Sequence, residues 1–342
     1  MPSINTEMAA VAKAMVAAGK GILAADESFP SIKKRFDSIG IESTEETRRA
    51  YREMLFTAPG AADYISGVIL FDETIRQSTA TGERFVDAMK RQGVLPGIKV
   101  DTGSKPLAGF PGEEVTEGLD GLRKRLEEYV GLGARFCKWR AVINIAAGVP
   151  TAGGIHANVH ALARYAALCQ EAGLVPMVEP EVMMEGDHPI GRCYDVTVET
   201  LRRLFDALDL ARVDFETTIL KTNMVVPGKK CATQASVRQV ADLTVQALLN
   251  GVPASIPGIV FLSGGQAPVP STAHLNAMNA GARLPWPLSF SYGRALQDAP
   301  LKAWKGLAAN VPAGHKALHH RARMNGLATL GQYRDEMEQA AA

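Results

Sequence analysis

Eight short apolar runs, most of them separated by helix-forming segments, predict an α/β chain whose strands lie parallel in one sheet. The runs close on charged or hydroxyl residues, and no linker or low-complexity stretch divides the chain. These observations predict a closed (β/α)8 TIM barrel, a single domain over residues 1–342 with extra helical segments at both ends. An open doubly wound sheet fits less well, because no G-x-G-x-x-G follows a strand and no break separates two halves.

Thr6 to Gly19 carries alanine, valine and methionine at helical spacing and stops at a glycine. The first strand, 21–25, closes on Asp26, Glu27 and Ser28, and Ser31 to Arg35 follows with a hydroxyl and three cations. Thr44-Glu45-Glu46-Thr47 starts a helix that Pro59 closes. Strands at 65–71 and 98–100 end on Asp72 and Asp101, and a charged amphipathic helix spans 118–132. A strand at 134–145 carries Lys138 and Arg140; an alanine-rich helix at 158–171 leads to a strand at 174–178 that closes on Glu179-Pro180-Glu181. After a helix at 196–210, the stretch from Thr217 to Val226 is a buried strand with Lys221 in its middle. A helix at 233–249 precedes the strand 258–262 and its Ser263-Gly264-Gly265 turn; Pro270-Ser271-Thr272 opens another helix. The last strand, 286–290, closes on Ser291 to Arg294, and a helical tail, 302–342, is broken near Pro312-Ala313-Gly314 and frays from Glu338 onward.

A hydrophobic content of 46% and a charged content of 21% describe a soluble globular chain. Its 37 Lys+Arg against 36 Asp+Glu give a net charge of +1, which points to no nucleic-acid partner. Cys137, Cys169, Cys193 and Cys231 are too scattered for a metal knuckle or a disulfide framework. A secretory leader and an apolar run of membrane-spanning length are both missing, so a cytoplasmic location without a membrane partner is expected.

Lys221 is the unusual group. A buried ammonium either pairs with a carboxylate or gives up its proton and becomes a nucleophile. Closure of a barrel would bring Asp26, Lys138, Arg140, Glu179, Glu181 and Lys221 around one cavity at the strand ends. Lys138 and Arg140 are two apart, as are Glu179 and Glu181, so each pair shares one strand face. Paired acids and paired bases directed inward form either a reaction centre or an interior ion network. The Ser263-Gly264-Gly265 turn exposes backbone N–H groups suited to a phosphate, and Arg294 ends the following strand. Lys33, Lys34 and Arg35 form a second cationic group, which allows a substrate with a phosphate at each end. His156 and His160 belong to an outer helix and lack a further ligand, so no metal site is expected.

Seven stretches resemble class I fructose-bisphosphate aldolases in the family's own order: GKGILAADES, GVILFDET, FCKWRAV, VPMVEPE, TILKTNMV, GIVFLSGGQ and SFSYGRALQ. The resemblance spans nearly the whole chain. It implies reversible cleavage of fructose 1,6-bisphosphate to dihydroxyacetone phosphate and glyceraldehyde 3-phosphate, with no cofactor. In that scheme Lys221 forms a Schiff base at C2, Glu179 is the main acid and base, and Lys138 assists. Asp26 takes the C4 hydroxyl proton, Glu181 tunes the charge at Lys221, and Arg140 supports binding. Ser263, Gly264, Gly265 and Arg294 then match the C1-phosphate clamp, while Ser31, Lys34 and Arg35 match positions near the other phosphate. A homo-oligomer, a homotetramer by the same resemblance, is expected.

The chain departs from animal members of that family at two places. Thr102 stands where they carry a lysine, which removes a charge that Lys105 could partly replace. No tyrosine follows Tyr333, whereas they end on a tyrosine that assists proton exchange at the enamine, so slower exchange is expected here. The competing readings are another Schiff-base aldolase or a transaldolase acting on a sugar monophosphate, and a secondary scaffold role.

Overall fold

The computed structural model describes residues 4–281 and 283–341; the terminal Ala342 of the sequence-predicted tail lies outside them. Its strands are β1 (Gly21–Ala25), β2 (Ile65–Leu70), β3 (Leu95–Lys99), β4 (Gly103–Pro106), β5 (Glu114–Glu117), β6 (Phe136–Ile143), β7 (Val175–Val182), β8 (Ile219–Thr222), β9 (Ile259–Phe261) and β10 (Leu288–Tyr292). Eight of them close a parallel barrel in the order β1-β10-β9-β8-β7-β6-β3-β2, and β4 and β5 form a separate antiparallel hairpin. The barrel with intervening helices is the predicted fold class.

Strand alternation explains how the barrel divides into a dry end and a charged end. On β6 the outward residues Cys137, Trp139 and Ala141 join the main core against the helices, while Phe136 faces the interior. Phe136 packs inside with Ile22, Ala24, Ile69, Val175, Met177, Ile219 and Val260. The helix Ile4–Met15 closes this end: Met8, Val11, Ala12 and Met15 belong to the same apolar cluster. Ser66 Oγ donates to Met15 O at 2.6 Å, tying the helix to the start of β2. One step of two residues toward the strand ends, the inward residues change character. Phe136 gives way to Lys138, Met177 to Glu179, Ile219 to Lys221, and Ala24 to Asp26. Among the described residues, no helix is long and apolar enough to cross a membrane.

Several boundaries differ from the sequence expectation, each for a local reason. β3 begins at Leu95 rather than Ile98, through Pro96 and Gly97, which read as breakers. Gly97 is needed there because a Cβ on it would lie 2.2 Å from the Phe136 ring. The β4–β5 hairpin is polar on both faces and left no alternation to read; the helix after it starts at Leu122, not Gly118. The helix Ala152–Glu171 starts before its expected Asn158, capped by Thr151. Its Gly154 leaves room for Glu113 of the hairpin, whose carboxylate a Cβ would meet at 1.9 Å.

β7 continues through Pro180 to Val182, so Glu179 and Glu181 sit within the strand rather than after it. The Lys221 strand is shorter than expected, with a 3-10 turn over Phe215–Thr217 before it and Asn223 leaving the ladder after it. Asn223 Oδ1 there accepts from Val182 N at 3.0 Å. Pro312 sits in the first turn of the helix Val311–Thr329 and does not interrupt it. The expected fraying at Glu338 is overturned as well: its carboxylate takes Arg321 Nη1 at 2.6 Å and the Tyr333 hydroxyl at 3.1 Å. Of the stretch 338–342, only Ala342 lies outside the described residues.

Candidate active site

Four charged side chains, three on β6, β7 and β8 and one just after β1, form one chain across the charged end of the barrel. Lys221 Nζ lies 2.9 Å from Glu179 Oε1, and the other carboxylate oxygen, Oε2, lies 3.3 Å from Lys138 Nζ. Lys138 Nζ in turn lies 2.7 Å from Asp26 Oδ2. Lys138 and Glu179 are 3% exposed and Lys221 is 4% exposed, so pairing is what makes the burial of these charges tolerable. Burial by itself would raise the carboxyls. At Asp26 the ammoniums of Lys138 and Lys221 outweigh burial and hold the group far below the usual range. Glu179 is lowered for the same reason, with Arg140 contributing. Lys138 is desolvated too, but Asp26 and Glu179 raise it well above an ordinary lysine. Both carboxylates and Lys138 are therefore charged through the neutral pH range.

A second layer lies toward solvent. Arg140 Nε pairs with Glu181 Oε2, and Thr116 of the hairpin donates to Arg140 O at 2.7 Å. Asp101 is engaged by Lys99 Nζ at 2.6 Å and accepts from Arg140 N at 3.2 Å. Asp72, the other strand-end acid, heads a short helix and accepts from the Tyr129 hydroxyl at 2.9 Å and from Arg76 at 2.8 Å. Its side chain serves the rim.

These groups line a cavity of about 790 Å³. Ser263, Gly264 and Arg294 are among its lining residues. The turn there is built by two successive left-handed glycines, Gly264 at φ +57° and Gly265 at φ +93°. Gly265 lies just behind the lining, with its open face against Arg294 Nη2. Ser31, Lys34 and Arg35 line the cavity from the helix Phe29–Asp37, where Ser31 and Lys34, three apart, share one face. The cationic group read from the sequence divides here. Lys33 turns away to pair with Asp37 at 2.8 Å, and Arg35 pairs with Glu27 at 3.0 Å.

Sequence reasoning passed over Ser28, Lys99, Ser291 and Gly293, all of which line the cavity. Ser28 was legible, being the third residue after the first strand; it is also the N-cap of the helix that carries Ser31. Lys99 was hidden because it precedes Asp101 and reads as its partner. Thr102 lines the cavity, whereas Lys105, expected as its partial substitute, is exposed on the hairpin and does not. Among the described residues, no group of three or more His, Cys, Asp or Glu side chains is placed to hold a metal ion. The His156 and His160 rings stack 6.1 Å apart on the outer helix.

Comparison with known proteins gives this arrangement its context. Residues 7–342 match the glycolytic fructose-bisphosphate aldolase class-I family. The chain belongs to that family. A probable fructose-bisphosphate aldolase class 1 from Xanthomonas campestris pv. campestris is 61% identical over 329 residues, covering 96% of this chain and 98% of the relative. Fructose-bisphosphate aldolase 4, cytosolic, from Arabidopsis thaliana is 52% identical, over 94% of this chain and 82% of its own length. Among solved structures, fructose-bisphosphate aldolase from Plasmodium falciparum, crystallised with TRAP and a small-molecule inhibitor, superposes with a TM-score of 0.96. It is 45% identical, with 98% of this chain and 97% of that one covered. Family membership thus extends over the barrel, the hairpin and the terminal helices alike.

Proposed function

We propose that this chain, as one catalytic domain, catalyses the reversible aldol cleavage of fructose 1,6-bisphosphate to dihydroxyacetone phosphate and glyceraldehyde 3-phosphate through a Schiff base on Lys221. The observation that carries the reading is the buried chain Lys221–Glu179–Lys138–Asp26. A carboxylate 2.9 Å from Lys221 Nζ can take its proton as the amine attacks the C2 ketone. Glu179 then returns a proton to the carbinolamine hydroxyl, which leaves as water and yields the iminium. Asp26, kept ionised by Lys138, accepts the C4 hydroxyl proton. The C3–C4 bond breaks and its electron pair passes into the iminium, giving the enamine. A Schiff base does the polarising work that a metal would otherwise do at the carbonyl.

Two sets of anion-binding groups on the cavity wall favour a bisphosphate over a monophosphate. One is the Ser263–Gly265 turn with Arg294; the other is the start of the Phe29–Asp37 helix with Ser31 and Lys34. Comparing cleavage of fructose 1,6-bisphosphate with that of fructose 1-phosphate tests this choice. Family membership and the cytosolic Arabidopsis relative are consistent with a cytoplasmic enzyme. A homotetramer of the 36.5 kDa chain is part of the proposal, and light scattering measures it.

The deciding experiment is borohydride reduction with dihydroxyacetone phosphate, followed by peptide mass mapping. An adduct on Lys221 is the expected result. An adduct on Lys138 would reverse the two lysine roles, and no adduct on folded protein would overturn the mechanism.

A further inference from the structure

One cation beside the Ser263–Gly265 turn has no part in the scheme above. A Cβ built on Gly265 would lie 2.6 Å from Lys229 Nζ and 3.1 Å from Arg294 Nη2. Two positive groups from different parts of the barrel, one following β8 and one following β10, therefore converge over a single glycine. Like charges this near repel. One carboxylate answers them: Glu185 Oε1 lies 2.7 Å from Lys229 Nζ, while Arg294 makes no ion pair among the described residues. The place is one cation in excess.

The backbone holds Lys229 there. Gly228 N donates to His188 O at 2.9 Å, Lys229 N to Met184 O at 2.8 Å, and Lys230 N to Gly186 O at 2.8 Å. Gly228 makes this approach possible, since a Cβ on it would lie 2.5 Å from Gly186 O. Above this fixed base, the Lys229 and Glu185 side chains are 39% and 54% exposed. An exposed pair contributes little, so exchanging one anion for another at Lys229 costs little.

We propose that Lys229 is a specificity-determining residue for the ketose C1 phosphate. Lys229 rests just outside the cavity lining, and as the phosphate seats on the turn its side chain leaves Glu185 and turns inward to share the dianion with Arg294. The inference rests on the proposed function, which puts the C1 phosphate at this turn. Lys229 selects for substrates phosphorylated at C1; it touches none of the bonds that change.

The test uses the intact protein and two ketones that differ in one group, dihydroxyacetone and dihydroxyacetone phosphate. Borohydride trapping gives a half-saturating concentration for each, and their ratio measures the preference for phosphate. Lys229→Met is expected to lower that ratio about tenfold, the scale of one lost charge-assisted contact at a partly exposed position. Lys229→Arg restores most of it, and Glu185→Gln raises it by freeing the lysine. For fructose 1,6-bisphosphate, Lys229→Met raises KM by more than it changes kcat. Thermal unfolding confirms that each variant is folded. Arg294→Ala separates the two levels of the argument. If Arg294→Ala lowers the ratio and Lys229→Met does not, the Lys229 inference is overturned while the phosphate position stands. If neither variant changes it, the phosphate position itself is overturned.

Discussion

Replacing Glu179 with glutamine keeps the side-chain volume and removes one charge from a buried chain of four. Lys221 Nζ and Lys138 Nζ, at 2.9 and 3.3 Å from the two carboxylate oxygens, then share only Asp26 as a nearby anion of the chain. A carboxamide still accepts a hydrogen bond at one atom, but it cannot take a proton from the attacking amine or return one to the departing hydroxyl. The loss of a positioned acid–base group is worth about 10²–10⁴ in rate, or roughly 3–5 kcal/mol of barrier. The proposed phosphate positions lie away from Glu179, so the effect is expected mainly on kcat. The assay is steady-state cleavage of fructose 1,6-bisphosphate, paired with the rate of borohydride-trappable adduct formation on Lys221. Both rates should fall together, because the iminium is slower to form. A folded Glu179→Gln protein whose kcat stays within about tenfold of the parent would refute the role, as would a large rise in KM with kcat unchanged.

Three further outcomes follow from named contacts. Burial pushes His274 down to about 4, and its Nδ1 lies 2.7 Å from Gln266 Oε1 beneath the glycine turn. Its folded value is below its unfolded value, so neutral His274 contributes stability above pH ~6.5 that is lost as pH falls toward ~4, by about 3 kcal/mol. Urea unfolding of His274→Asn should show a flatter pH dependence across that window, and an unchanged slope would sink the idea. Gly97→Ala places a methyl group 2.2 Å from the Phe136 ring and should cost about 1–3 kcal/mol on thermal unfolding; a parental Tm would contradict the packing argument. The Tyr333 hydroxyl is held by Glu338 at 3.1 Å and the residue does not line the cavity. Tyr333→Phe should leave cleavage unaltered, and deuterium exchange at C3 of dihydroxyacetone phosphate should be slower than in enzymes with a terminal tyrosine. A loss of about 10²-fold in Tyr333→Phe, typical of a missing proton-transfer group, would be the opposing result.

The barrel was legible because its strands are short apolar runs with chemistry at their ends. That Lys138 and Arg140 share one face, and Glu179 and Glu181 another, was legible from their two-residue spacing; which base meets which acid was not. What could not be read were the features that depend on a distant neighbour. Gly97 and Gly154 look like breakers until Phe136 and Glu113 occupy the space that a side chain would take. Lys33 and Lys34 look equivalent in the chain, yet helical geometry gives one to Asp37 and the other to the cavity. Lys229 belonged to no strand end or repeated pattern. Only the closure of the barrel puts it over Gly265.

The helix Ile4–Met15 has a consequence beyond packing. By stoppering one end of the barrel with Met8, Val11, Ala12 and Met15, it makes the interior a blind vessel. Traffic in both directions then shares one doorway, and order of departure becomes a matter of tethering. In the proposed Schiff-base scheme the aldehyde fragment is free once the carbon–carbon bond has broken, whereas the ketone fragment stays leashed to Lys221 until water releases it. A dead end with a single leash enforces a queue, in which the aldehyde leaves first and returns last.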